Sequence, residues 1–217
     1  MPERRVLLVE GKDDEHIVKH LCKAHGIDPS LFEIHQPEGA AEYSDAGVER
    51  LLEQVPVRLN SGVDRLAVIL DADEDAGHRW NQLRDRLRDR EFQGMPESPS
   101  GEGSVVEFDL ETRSVRFGVW IMPNNSLPGM IEDFLVWLVP RQDRMLPHVD
   151  RFLDGIPIAD RLFSPARLAK ARIHTFLAVQ ETPGKPLGLA ITFHYLDAKR
   201  EDAVMPFLNW LRRVLID

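Results

Sequence analysis

Apolar and polar positions along the chain fall into two rhythms. Residues 5–9 form a short, nearly continuous apolar run rich in Val and Leu, and residues 65–70 form another. Runs of that length mark strands buried on both faces of a parallel sheet. Helical spacing follows each of them. Behind acidic residues 13–15, Ile17, Leu21 and Ala24 share one stripe, and Gly26 reads as the stop. After the second run, Trp80, Leu83 and Leu87 mark an amphipathic helix. Between these units, residues 31–35 read as a shorter strand, and Val48, Leu51, Leu52 and Val55 repeat at helical spacing. Strands alternating with helices predict βαβ units and a mainly parallel, Rossmann-like α/β sheet.

The second half changes character. Residues 93–103 (QGMPESPSGEG) are a Pro/Gly/Ser-rich loop, and residues 105–110 and 115–122 read as a hairpin. Pro123, Asn124 and Asn125 break the chain before a helix over 129–138. From Arg141 onward the pattern is helical, with apolar stripes at 168–173 and at Phe207, Leu208, Leu211 and Leu215. The expected plan is an α/β core over residues 1–140, with a hairpin insertion near 93–122. A helical C-terminal part, residues 141–217, would pack on that core.

Composition narrows the function. A chain of 217 residues with 43% hydrophobic content can fill a sizeable core. The single cysteine, Cys22, excludes an internal disulfide and any Cys-based zinc site. No apolar run approaches the ~20 residues that cross a bilayer, and none follows the N-terminus as a signal peptide would. The expectation is a soluble, cytoplasmic protein with no membrane partner.

The net charge of −9 argues against general electrostatic binding of nucleic acid, but it is unevenly spread. Residues 141–217 hold 12 Lys/Arg against 9 Asp/Glu, a net of +3, which leaves 15 against 27, a net of −12, for residues 1–140. Much of that acid follows the two buried runs: Glu10, Asp13, Asp14 and Glu15 after the first, and Asp71, Asp73, Glu74 and Asp75 after the second. Such residues commonly serve as helix caps. They also stand where open parallel sheets bind ligands, beyond the carboxyl ends of strands. Converging carboxylates repel one another unless a cation is present, and hard oxygen donors without Cys or clustered His suit Mg²⁺ or Mn²⁺.

The run Val9-Glu10-Gly11-Lys12-Asp13-Asp14 closing one strand, with Asp71-x-Asp73 closing a later one, resembles the Toprim domain. The likeness covers residues 4–75 and extends to 140. It implies a compact parallel-sheet α/β unit whose glutamate and DxD pair bind Mg²⁺ for phosphodiester chemistry. Absences choose among its branches. Topoisomerases need a nucleophilic tyrosine and large gate domains, whereas this short chain has only Tyr43 and Tyr195. Primases use zinc modules that one cysteine cannot supply. Many Toprim domains place a glycine three residues after the second Asp, whereas here Gly77 comes four after Asp73.

The chain is most similar to the overcoming-lysogenization-defect nucleases and to small stand-alone bacterial Toprim-like proteins. That branch implies metal ligation by Glu10, Asp14, Asp71, Asp73 and a late-helix glutamate, here Glu132. Met130 stands where the branch usually has a polar residue. The likeness also implies a lysine, for which Lys185 is the first choice and Lys170 the second. Two ions about 4 Å apart would share these carboxylates. Lys185 would offset charge on the phosphoryl oxygens, and Glu10 is an alternative proton-transferring group. The partners implied are nucleic acid and a separate ATPase, since the chain has no phosphate loop; a homo-oligomer is compatible with the reading.

Two other functions compete with a nuclease: a non-catalytic Toprim-fold binding or regulatory protein, and action on a small phosphate compound. His16 and His20 share a helix face but lack the rest of a zinc motif. The helix after the DxD segment carries Arg79, Arg84, Arg86, Arg88 and Arg90 among acids, which reads as an ion-paired, solvated face. Trp120, Trp137 and Trp210 sit in apolar patterns and read as core.

Overall fold

The structure, a computed structural model, describes residues 3–37 and 46–217, so Tyr43 lies outside the described residues. Five strands, β1 (Arg5–Leu8), β2 (Glu33–His35), β3 (Arg65–Asp71), β4 (Ser104–Leu110) and β5 (Arg113–Met122), form one sheet in the order β2-β1-β3-β5-β4. Only β4 runs antiparallel, against β5; the other pairings are parallel. The described residues also hold eight α-helices: α1 (Lys12–Ala24), α2 (Ala46–Asn60), α3 (Ala76–Arg88), α4 (Ile131–Trp137), α5 (Leu146–Asp154), α6 (Leu168–Ala178), α7 (Leu187–Thr192) and α8 (Glu201–Leu215). The architecture is a Rossmann-like α/β fold.

The continuous apolar runs of β1 and β3 follow from burial on both faces. Side chains alternate across a strand, so Leu7, Ala67, Ile69, Trp120 and Met122 face one core, shared with α1 and α4–α8. Val6, Leu8, Leu66, Val68, Leu70, Val119 and Ile121 face the other, under α2 and α3. The strand at 31–35 starts two residues late. Pro29–Leu31 is a 3₁₀ turn capped by Asp28, whose Oδ1 accepts the Ser30 N–H at 2.9 Å.

The hairpin is not an insertion. β5 lies between β3 and β4 and pairs with β3 in parallel from Arg65↔Arg116 to Asp71↔Met122. Its run Val119–Met122 is buried throughout, because the sheet covers it laterally and helices cover both faces. α8 approaches this strand closely. A Cβ added at Gly118 would stand 2.3 Å from Val214, so only glycine admits the helix at that depth. The helices after residue 140 therefore share one core with the sheet. Among the described residues, no helix is long and apolar enough to cross a membrane.

Candidate metal centre

Three chain crossings bring acids together at the carboxyl edge of the sheet. β1 runs out at Glu10, β3 at Asp71, and α4 begins with Glu132 in its first turn. Glu10 Oε1 accepts the Asp71 N–H at 2.9 Å, and Asp71 Oδ1 accepts the Ile131 N–H at 3.0 Å, so the three elements are tied through the acids themselves. Asp14 enters from α1, where its Oδ2 accepts the Gly11 N–H at 3.0 Å. It is thus a helix-capping residue as well as a member of the cluster.

Burial and mutual repulsion shape the electrostatics. Asp14 and Glu132 are only 9% and 4% exposed, while Glu10 and Asp71 keep part of their surface open at the mouth. Burial, with Asp73 and Glu132 adding repulsion, pushes the Glu10 carboxyl up to about 7, against the Asp71 N–H and the Arg79 charge. Burial, then the charges of Glu10 and Glu132, push Asp14 up to about 8. Asp71 is raised well above the usual range by burial and by all four neighbouring acids, Glu10, Asp14, Glu132 and Asp73.

Asp73 is held by contacts of its own. It has a left-handed backbone (φ 52°) and exchanges two hydrogen bonds with Gly129, Asp73 N–H to Gly129 O at 2.9 Å and Gly129 N–H to Asp73 O at 2.7 Å. Its carboxylate pairs with Arg79. At Gly129, φ 129°, any side chain would be strained, since a Cβ would lie 2.6 Å from Asp133 Oδ2. Asp133 in turn caps α4 by accepting the Met130 N–H at 2.9 Å, which leaves Met130 as the residue before the helix.

Arg79 departs from the solvated, ion-paired reading of its helix. It is 7% exposed, donates Nε–H to Asp71 O at 2.8 Å and Nη1–H to Gln82 Oε1 at 2.8 Å, and grips the Asp73 carboxylate. Two of the other arginines conform, Arg86 pairing with Glu49 and Glu53 and Arg88 with Asp85, while Arg84 donates Nη1–H to the Glu97 carbonyl at 3.0 Å. Arg79 differs because the N-cap Asp75 starts α3 so that this position turns back under the β3 end. Only its place one helical turn after a cap could have marked it in the sequence.

The two lysines separate clearly. Lys170 Nζ lies 3.1 Å from Glu132 Oε1, and although burial pulls its pKa down, Glu132, Asp13 and Asp71 raise it above the usual lysine value. Lys185 stands 5.0 Å over the Phe193 ring, and among the described residues it makes no ion pair. The second choice, not the first, is the lysine brought to the acids. His20 bonds Thr192 Oγ1 through Nδ1 at 2.8 Å, and His16 is exposed.

Among the described residues, no three His, Cys, Asp or Glu stand grouped as a ready metal cage. The contacts above give the physical reason. Main-chain N–H groups hold Glu10, Asp14 and Asp71, Lys170 holds Glu132, and Arg79 holds Asp73. The donor chemistry nevertheless suits a hard divalent cation, with carboxylate oxygens and neither sulfur nor imidazole beside them.

Among known families, the model described as "Protein of unknown function (DUF3226)" matches residues 4–216, and the chain belongs to that family. Comparison with curated proteins and with solved structures finds no significant match.

Proposed function

We propose that this member of a family of unknown function hydrolyses phosphodiester bonds with Mg²⁺ or Mn²⁺, two ions held among Glu10, Asp14, Asp71, Asp73 and Glu132. The observation that carries the reading is the convergence of Glu10, Asp14, Asp71 and Glu132 from four elements into one cluster, in which burial first and neighbouring charge second raise the Glu10, Asp14 and Asp71 carboxyls. Such a cluster weakens a fold unless a cation answers it. It lies beyond the strand ends, where α/β sheets bind ligands. The likeness to Toprim nucleases agrees with it.

Bound ions of this kind polarise a phosphoryl group and make a bound water more acidic. The chain's own groups do the rest. Lys170, charged throughout the neutral range, offsets negative charge gathering on phosphoryl oxygens. Arg79 and the Asp73–Gly129 hydrogen bonds fix the loop that carries the DxD pair. Nucleic acid is the expected substrate, with a separate ATPase as partner.

The test incubates the full chain with plasmid DNA and RNA in Mg²⁺ or Mn²⁺, alongside Asp71→Asn and Glu10→Gln, and titrates Mn²⁺ by calorimetry. Cleavage should fall by about 10²-fold or more in Asp71→Asn, with weaker Mn²⁺ binding in both variants. No cleavage in any metal, with Mn²⁺ affinity unchanged in the variants, sinks the proposal. One observation favours a second reading, a non-catalytic binding protein: Arg79 already occupies the Asp73 carboxylate. Mn²⁺ binding without cleavage would select it.

A further inference from the structure

We propose that two copies of this chain pair through the face formed by α5, the loop after it and the start of α6. Soluble monomers scatter exposed apolar side chains singly, and a concentration of them marks an interaction surface. Among the described residues, eleven large apolar side chains are exposed. Five of them, Met145, Phe152, Ile158, Leu162 and Leu168, fall within the 24 residues from 145 to 168. Ile158 is 86% exposed, and Leu162 is wholly so.

The face is held in place by its own hydrogen bonds. Met145 and Phe152 stand seven residues apart, two helical turns, and so share one side of α5. Arg161 donates Nε–H to Ile156 O at 3.1 Å and Nη2–H to Leu153 O at 3.3 Å. Those bonds keep the loop that carries Ile158 and Leu162 against the end of α5, beside Phe152. Arg172 grips Asp150 with two bonds of 2.6 and 2.7 Å, which ties α6 to α5. Pro157 and Pro165, at the starts of the two 3₁₀ turns between these helices, stiffen the connection. A surface fixed before association loses little freedom on binding.

Charge and size select the partner. With Asp150 spent on Arg172, residues 143–162 hold Arg144, Arg151 and Arg161 against Asp143, Asp154 and Asp160, a net of zero. Nucleic acid and anionic lipid both call for an excess of Lys and Arg, which this face lacks. A two-fold interface instead needs a patch that complements itself, and both signs beside an apolar centre meet that need. The five apolar exposures add to roughly 3.3 whole residues, or about 500 Å² at about 150 Å² each. A standard interface buries about 800 Å² per partner, and the ~65% apolar share of a homodimer is again about 500 Å². The pairing is independent of the phosphodiester reading, because neither the acids nor a metal takes part in it.

The experiment follows the mass of the full chain by sedimentation velocity from about 1 to about 200 µM, in EDTA. The 24.8 kDa chain should reach the mass of a dimer, about 50 kDa, within that range. Phe152→Ser and Leu162→Ser, at exposed positions, should keep the native far-UV circular dichroism and each raise the dimer Kd about tenfold or more. Asp154→Arg with Asp160→Arg, which moves the face from balance to strongly basic, should raise it about tenfold at low salt. Val57→Ser, on the exposed side of α2, should leave the dimer intact. A monomer throughout the range overturns the proposal, including one that instead binds RNA or phosphatidylglycerol vesicles. So does a dimer unchanged by the apolar or by the charge variants, or one that Val57→Ser weakens equally.

Discussion

Replacing Glu10 by Gln should stabilise the metal-free protein at alkaline pH. Gln keeps the oxygen that accepts the Asp71 N–H at 2.9 Å and removes one charge from the cluster. Holding a carboxyl at about 7 rather than 4.5 corresponds to about 3 kcal/mol at 1.36 kcal/mol per pKa unit, the order of gain expected above pH 8. The sign follows from proton counting. Between about pH 4.5 and 8 the unfolded chain has released protons that native Glu10, Asp14 and Asp71 still hold. The unfolded state then binds fewer protons, so native stability falls as pH rises through that window.

Urea unfolding in EDTA, from pH 5 to 9, measures both effects. The native chain should lose stability across the window. The Glu10→Gln curve should run flatter, meeting the native one near pH 5 and exceeding it at pH 8.5. Mg²⁺ at 100 times its Kd should add about 2.7 kcal/mol to the native chain and much less to the variant. A variant less stable than the native chain at pH 8.5, or one that gains equally at pH 5 and 8.5, would refute the picture of buried, mutually repelling acids.

Lys170→Met should lower phosphodiester cleavage by about 10²-fold and cost about 1–3 kcal/mol at pH 8, because Glu132 is left buried without its cation. Lys185→Met removes only a cation–π contact, worth under about 1 kcal/mol in urea unfolding. Arg79→Gln should cost about 2–3 kcal/mol by stranding the Asp71 carbonyl and freeing Asp73; an unchanged urea midpoint would contradict the clamp. Gly129→Ala, at φ 129° against Asp133, should destabilise by about 1–3 kcal/mol and weaken Mn²⁺ binding by displacing the start of α4, as calorimetry can check.

Much of the fold was legible because it is written in local periodicity. The two buried apolar runs, the helical stripes that follow them and the acids at their ends are properties of short segments, and β1, α1, β3 and α3 form where that pattern places them. The hairpin's true role was not legible. An antiparallel pair looks the same alone or as part of a larger sheet, and only pairing with β3, whose partners lie 51 residues away in sequence, makes β5 central.

The site divides in the same way. Glu10, Asp14, Asp71 and Glu132 could be named from sequence because strand ends and helix first turns fix where those side chains emerge. The choice between Lys170 and Lys185 belonged to tertiary structure, since both lie on the helical side and only the packing of α6 beside α4 sets Lys170 3.1 Å from Glu132. Arg79 was hidden for a related reason. An arginine among arginines on an exposed helix carries no mark of burial, and only the fold of the β3–α3 turn encloses it. The sequence by itself determined which segments form and which acids end them. Three-dimensional packing alone decided which cations answer those acids, because charges far apart along the chain meet only when the layers close.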